Sequence, residues 1–586
     1  MINKYTNNSL LNKKWKIKNF NERDTLMISQ KYEVSPILAK LLSLRFDNEV
    51  DIKNFLNFDF HNNIPDPFTL KDMDKTVQRT IKAIIEKQNI GIIADYDVDG
   101  STSASILFKF LKYCGCKVNI KIPNRLFEGY GPNKRIMNEF YTEKTDLIFS
   151  LDCGTNSFGI IDHDDFKKID IVVIDHHISE NYFPDIFSII NPNRYDEKGN
   201  LKNLAAVGVT FLFILALRKK LRVKDFFNKT NIKEPNLLSY LDLVALGTVC
   251  DIVKLQEYNR IFVTKGLEII RKRTNKGICK LIDNAKINRT PKSSDLSYII
   301  GPQLNAASRI EGSSLATDIL ISEDIFQIET ISKKLFLLNE KRKLIEKEIF
   351  IQAMNQANKQ TDKKVILVSG FGWHLGVLGI IASRLTKYFN KPSIVISFDQ
   401  NIGTGSARSI NNIDLGNLIL SAKNEGLLIS GGGHKMAAGL KIKNENLKKF
   451  NDFILKNIEK FGDSFFQNVE TYDLRISINE VNKDLLQIIE DFEPYGKGNE
   501  EIKFIIYGIK INHFKIIKNK HIMVFFNNDS SKKIQGFCFN SVDTQLGENI
   551  MKNKTAKFEF GCTIEKDYFN NNNEPKIIIN DGLIVD

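Results

Sequence analysis

The seven cysteines among the 586 residues form no CxxC pair and follow no regular spacing. That argues against a disulfide framework and against a thiolate-held zinc. Cys114 and Cys116 are too close together to pair comfortably, so reduced thiols and a cytoplasmic location are expected. No signal peptide opens the chain, and its most apolar stretch, Ala205 to Leu217, runs straight into Arg218-Lys219-Lys220. Such a run is too short for a bilayer and reads as a buried helix, with no membrane partner. Acidic residues are outnumbered, 70 against 83 Lys and Arg, giving a net charge of +13. This fits a polyanionic partner, although a Lys-, Asn- and Ile-rich composition produces the same excess. What remains is ordinary for a soluble protein, 42% hydrophobic and 26% charged, and too long for one core, so three or four domains are expected.

Against that background, three carboxylates follow one short apolar run in Asn89–Gly100, NIGIIADYDVDG. Gly91 to Ala94 reads as a buried strand and Gly100 to Ala104 as the turn into a helix. On an extended segment, period two would send Asp95, Asp97 and Asp99 to one site. Like charges that close repel unless protonated or met by a cation, and an acidic surface turn is the alternative for an isolated motif. The arrangement recurs, however. Asp146 to Leu151 ends in Asp152-Cys153-Gly154-Thr155, Ile169 to Ile174 ends in Asp175-His176-His177, and the helix-like Leu241 to Cys250 ends in Asp251. Acid-tipped strands separated by helix-length segments predict a parallel α/β sheet with its site at the strands' carboxyl ends. A ligand set of oxygens with one or two imidazoles suits two divalent cations, Mn²⁺ or Mg²⁺.

Elsewhere, residues 1–85 read as polar helices packing beside the first sheet. The strand Val118 to Ile122 leads into a loop with Arg125 and Tyr130, able to pair with phosphate and stack on bases. Asp162-His163-Asp164-Asp165 reads as surface charge. Leu315 to Asn358 has a helical pattern long enough to bridge two domains. A second α/β unit opens at Val365, with Trp373 as packing and His374 before a helix start that favours an anion. Glycine-containing stretches at Gly403 to Ser409 and Ser430 to Gly439 read singly as tight turns. Five strand-like runs after Phe504 fit an OB-fold, with Phe504, Phe514, Lys515, Lys518, Lys520, His521, Phe525 and Phe526 as candidates for a single-strand groove.

DYDVDG, LDCG, VVIDHH and LVALGTVCDIV resemble the four motifs of the DHH phosphoesterase superfamily. PNRLFEGYG, AAVGVTFLF, GPQLNAASRI, the GSARS and GGGH stretches and IEDFEPYGKGN narrow the resemblance to the RecJ family of single-strand-specific exonucleases. It implies an α/β fold: a DHH domain with a parallel sheet over 86–314, a long helix over 315–358, a DHHA1 substrate-binding domain over 359–462 and an all-β OB-fold over 463–586, preceded by the helical segment 1–85. It implies metal ligands among Asp95, Asp97, Asp99, Asp152, Asp175, His176 and Asp251, with Asp152 bridging two ions about 3.5–4 Å apart. Asp95 and His177 would be either ligands or partners that orient ligands. Asp152, His177 and Arg309 would act in catalysis. Arg125, Tyr130, Asn305, Arg309, His374, Ser406, Arg408, Ser409, Gly432, Gly433 and His434 would hold the substrate. The activity implied is 5′ to 3′ hydrolysis of single-stranded DNA to mononucleotides by a monomer, with a single-strand-binding protein and a RecQ-type helicase as partners. Gln303, Ser308 and Cys250 depart from the family pattern, which has a basic residue, Gly and Ala there; none is a ligand. Rival readings are a smaller-substrate DHH phosphodiesterase, which the length opposes, and an inactive nucleic-acid-binding scaffold, which would need lost ligands.

Overall fold

The run Asn89–Ala94 is buried along almost its whole length, and a strand covered on both faces needs helices above and below it. In the computed structural model, which describes residues 8–57, 63–312, 314–411, 413–527, 533–553, 556–567 and 574–585, this run is β1 of a parallel sheet. Its strands are β1 (Asn89–Ala94), β2 (Lys117–Lys121), β3 (Leu147–Leu151), β4 (Asp170–Ile174) and β5 (Ser188–Ile190), in the order β2-β1-β3-β4-β5. Parallel register throughout brings the ends of β1, β3 and β4 side by side. Helices α1 (Val98–Tyr113), α2 (Ala206–Val223) and α3 (Leu241–Cys250) pack on one another. The Ala205 to Leu217 run lies inside α2, buried as expected. Among the described residues no helix is long and apolar enough to cross a membrane.

The helical stretch after Ser314 breaks at Asp324, whose carboxylate caps a new helix by accepting the Phe326 and Gln327 N–H groups. After α4 (Gly301–Ile310), the resulting 33-residue α5 (Ile325–Ala357) packs near its start on α4. Toward its end, Ile349, Ala353 and Ala357 enter the core of the second sheet. That sheet holds β6 (Ile366–Phe371), β7 (Ser393–Asp399), β8 (Ile402–Arg408), β9 (Ser430–His434) and β10 (Ala437–Lys443), ordered β9-β10-β8-β7-β6, with α6 (Leu378–Phe389) packed on β7 and β8. Gly403 to Arg408 is therefore strand, whereas Ser430 to Gly439 is the β9–β10 hairpin with its tight turn at Lys435-Met436. Gly403 and Gly405 face the side chains of Ile396, Phe398 and Leu440, which fill the space their own side chains would take. Trp373 is buried and donates to Gln352 at 2.9 Å, as a packing residue should.

These elements form the unit Phe60–Gly462 with Gly496–Gly498; a second unit comprises Met1–Asp59, Asp463–Tyr495 and Asn499–Asp586. The expectation for residues 1–85 is corrected here. Residues 63–85, with the helix Met73–Ile85, belong to the unit of the first sheet, where Asp72 accepts the Ile189 N–H at 3.1 Å. Residues 8–57 join the C-terminal unit, where Lys14–Ile17 pairs in parallel with Val469–Tyr472 and Trp15 donates to the buried Asp581 at 3.1 Å. Ala39, Leu41, Leu42 and Phe55 share a core with Phe504, Phe526 and Phe560. Among the described residues the C-terminal sheet has seven strands, including Leu474–Ile476 and the largely exposed His513–Ile517. Phe504 and Phe526 are core residues, unable to line a groove. Phe525 lies on the other face, stacked on His513 at 5.8 Å beneath Lys515.

Candidate metal and phosphate site

Asp95, Asp152 and Asp175 each follow the last residue of a strand, so the parallel register alone gathers them. Asp97 and Asp99 arrive differently from the expected extended alternation. Asp97 is the N-cap of α1, its Oδ1 accepting from the N–H groups of Asp99 at 2.9 Å and Gly100 at 3.1 Å. Asp99 sits in the first helical turn. Its two oxygens accept from Ala206 and Val207 at 2.7 and 2.9 Å, at the start of α2, where the helix dipole favours an anion. Gly100 makes this possible, since any Cβ there would strike the Asp95 carbonyl. Asp251 closes the carboxyl end of α3.

Three overlapping clusters result, each with ligand atoms within 4.8 Å: Asp95, Asp97 and Asp152; Asp99, His176 and Asp251; Asp152, His176 and His177. His176 Nε2 lies 3.4 Å from Asp152 Oδ1 and 3.5 Å from Asp251 Oδ2. Burial, then repulsion between neighbouring carboxylates, pushes Asp95, Asp99 and Asp152 well above the usual range and Asp251 up to about 7. Burial followed by the charge of His177 lowers His176 to about 4, which keeps its imidazole neutral and able to ligate. Asp95 Oδ1, Asp152 Oδ1 and His176 Nε2 are buried atoms without a hydrogen-bond partner. Such a group of acids is unfavourable by itself and is satisfied by hard divalent cations, so the residues present fit the expected pair of ions.

Asp175 was expected among the ligands, but its oxygens are occupied. They accept from Thr155 N and Oγ1, from the backbone N–H groups of His176 and His177, and from His177 Nδ1 at 2.7 Å. It stands outside the three clusters. Despite burial, the charge of His177 and these bonds hold its carboxyl below the usual range. Burial works to lower His177, but Asp175 outweighs it and carries the imidazole up to about 9. Asn191 and Asn193, which follow β5, clamp the same corner from behind. Their amides donate to the carbonyls of His177 at 2.8 Å and His176 at 2.6 Å, and Asn191 also reaches Thr155. Neither was anticipated; their signal was an Asn-Pro-Asn directly after a strand.

Arginines face the acids. Arg125 lies over the Tyr96 ring at 4.7 Å. Arg309 donates to the Gly376 carbonyl at 3.1 Å. Burial, then the proximity of Arg125 and Arg342, lowers Arg309 to about 9, and burial with Arg125 lowers Arg408. Guanidinium groups brought this close together form a group suited to binding an anion such as phosphate. Asn305 belongs to helix α4 rather than a loop, its Oδ1 buried without a partner. His374 Nδ1 accepts from Gly376 N, capping the turn before α6. In the second sheet, the ladder sets His434 level with Ala437 and Arg408, and Gly432 level with Gly439 and Ser406. Period two puts those pairs on one face. Arg408 also donates to Ser406 Oγ at 3.1 Å. Gly433, between them, lies against Ala437 and Ala438 with φ +155. Ser409, expected to hold substrate, is buried with its hydroxyl on the Ile413 carbonyl. Asp164 and His163 are exposed in a connection away from the clusters, as surface charge.

Comparison with known proteins agrees with this layout. The DHH family, N-terminal domain, matches residues 89–248, the DHHA1 domain 362–460 and the RecJ OB domain 472–581. The chain is 31% identical to the single-stranded-DNA-specific exonuclease RecJ of Escherichia coli, over 87% of this chain and 90% of that protein. Its fold matches RecJ from Thermus thermophilus, solved with Mn²⁺, with a TM-score of 0.81 at 23% identity over 98% of this chain and 80% of that one. A manganese-bound exonuclease RecJ is 28% identical, with a TM-score of 0.58 over 70% of this chain and 97% of that one. With all three domains in order and near-complete coverage of a relative, the chain belongs to the RecJ family of DHH phosphoesterases.

Proposed function

We infer that this protein is a metal-dependent exonuclease that hydrolyses single-stranded DNA from a 5′ end to mononucleotides, in the cytoplasm, in DNA repair and recombination. The observation that carries the reading is that Asp152 belongs to one ligand cluster with Asp95 and Asp97 and to another with His176, which in turn clusters with Asp99 and Asp251. Asp95, Asp97 and Asp152 would hold one cation, and Asp99, His176 and Asp251 the other, with Asp152 shared. Bound there, two divalent ions supply Lewis acidity toward the phosphoryl oxygen and ease deprotonation of the attacking water. His177, tied to Asp175, is placed to accept or return a proton at the edge of the site. Arg125, Arg309 and Arg408 would bind the strand's phosphates, with His374 and His434 beside them. The family name of the Escherichia coli relative supports the single-strand preference, and the OB domain supports a second hold on the strand. A monomer working with a single-strand-binding protein and a RecQ-type helicase is the arrangement we propose.

The test is direct. Single-stranded and duplex DNA labelled at either end are incubated with and without Mn²⁺. The expected outcome is Mn²⁺-dependent release of the 5′ label first, from the single strand. First release of the 3′ label, equal attack on blunt duplex, or tight binding without turnover would overturn the reading.

A further inference from the structure

We propose that Tyr130 is a positioning residue whose hydroxyl holds the Asp152 backbone and the His177 imidazole together; this rests on the two-cation reading above. A tyrosine beside a nuclease site is read first as a base-stacking group, and that was the expectation from sequence. The structure uses its hydroxyl otherwise. Tyr130 Oη donates to the Asp152 carbonyl at 2.7 Å and lies 3.1 Å from His177 Nδ1, with the two rings edge to face at 5.5 Å.

Asp152 has reason to need that bond. It directly follows β3 in the left-handed region, at φ +58, which a non-glycine residue occupies only when its surroundings hold it there. Its N–H donates to the Ile174 carbonyl at 3.0 Å, fixing one side of the residue to β4. Tyr130 fixes the other side.

The hydroxyl has a single proton, and the Asp152 carbonyl takes it. Toward His177 it therefore only accepts, as does the Asp175 carboxylate 2.7 Å from the same Nδ1. Two acceptors facing Nδ1 keep the proton on that nitrogen, so a neutral His177 has its lone pair on Nε2.

The loop bearing Tyr130 is stiff enough for the task. Glu128 Oε2 accepts the Asn124 N–H at 2.7 Å, and its carboxylate is paired with Arg135. Two left-handed glycines, Gly129 and Gly131, turn Tyr130 down onto the end of β3.

The discriminating variants are Tyr130→Phe, which removes only the hydroxyl, and Tyr130→Ala, which also removes the ring. Mn²⁺ binding to the full-length protein is followed by electron paramagnetic resonance, alongside kcat and KM for a 5′-phosphorylated strand and strand binding in EDTA. The expected result is Mn²⁺ affinity weaker by roughly 10- to 100-fold in both variants, the usual range for partners that orient metal ligands. With Tyr130→Phe, KM for the strand and binding in EDTA stay as in the parent. Unchanged Mn²⁺ affinity in Tyr130→Phe overturns the proposal. If KM alone rises, and only with Tyr130→Ala, the ring stacks on a base instead. A parent protein that binds Mn²⁺ but does not cleave would sink the nuclease reading while leaving the metal comparison intact.

Discussion

Asp99 reaches across more than a hundred residues to accept the backbone N–H of Ala206 at 2.7 Å. Both of its oxygens are engaged at the start of α2, and one also lies 3.9 Å from His176. A single carboxylate thus ties α1 to α2 and contributes to the cation cluster.

This separates two substitutions that look alike on paper. Asn caps a helix as well as Asp does, so Asp97→Asn keeps its bonds to Asp99 and Gly100 while losing the charge. Asp99→Asn can keep one of its two bonds, but turns an amide NH₂ toward the other backbone donor. In metal-free protein, Asp99→Asn should be less stable than Asp97→Asn by about 1–2 kcal/mol, measured by urea denaturation, with both defective in cleavage. Equal stabilities would contradict the bonds described.

Stability without metal should fall as pH rises from 6.5 to 8. Asp251, at about 7, retains a proton in the fold that the unfolded chain has already released, and the raised Asp95, Asp99 and Asp152 act in the same direction. His177, near 9, retains one that the unfolded chain loses around its ordinary 6.5. The folded state binds more protons across this window, so its stability declines with pH. His176, lowered to about 4, runs the other way, because the unfolded chain still holds part of that proton near 6.5, but it offsets only part of the trend. Added Mn²⁺ or Mg²⁺ takes the protons' place, so the gain in Tm on adding metal should grow from pH 6.5 to 8. Paired melts in EDTA and in metal at the two pH values check this; a gain that shrinks with pH would contradict it.

Arg408→Gln should raise KM for a 5′-phosphorylated strand by about 10- to 100-fold, the loss expected for one charge-assisted hydrogen bond of about 1.5–3 kcal/mol. Mn²⁺ affinity should not change, because Arg408 lies outside the ligand clusters. A smaller effect on a 5′-hydroxyl strand would place the arginine at the terminal phosphate. An effect on metal affinity would remove it from the phosphate-binding group.

Ala94-Asp95, Leu151-Asp152 and Ile174-Asp175 were legible because a buried strand ending in an acid is a local pattern, and parallel register does the rest. The route of Asp97 and Asp99 was not, since alternation along a strand and the cap of a helix both bring nearby acids together. Gly403 and Gly405 read as turn residues because the side chains of Ile396 and Leu440 that exclude anything larger lie on other strands. The partner of Lys14–Ile17 was invisible for a simpler reason: Val469–Tyr472 lies some 450 residues away. His513–Ile517 alternates only briefly, His-Phe-Lys-Ile, and stays largely exposed, so its place in the sheet comes from its antiparallel partner His521–Asn527. Asn191 and Asn193 were marked only by the Asn-Pro-Asn after a strand, a weak signal in a chain where asparagine is abundant.

The left-handed backbone at Asp152 also decides how an inert version of this enzyme should be made. Alanine there would discard the charge and strain the main chain at once, confusing lost chemistry with a displaced strand end. Asparagine tolerates that conformation and preserves the size of the side chain. Asp152→Asn should slow cleavage roughly a thousandfold or more, as several kcal/mol of transition-state stabilisation disappear, yet still seat an uncut strand. It is the variant to choose for capturing that complex by crystallography or cryo-microscopy.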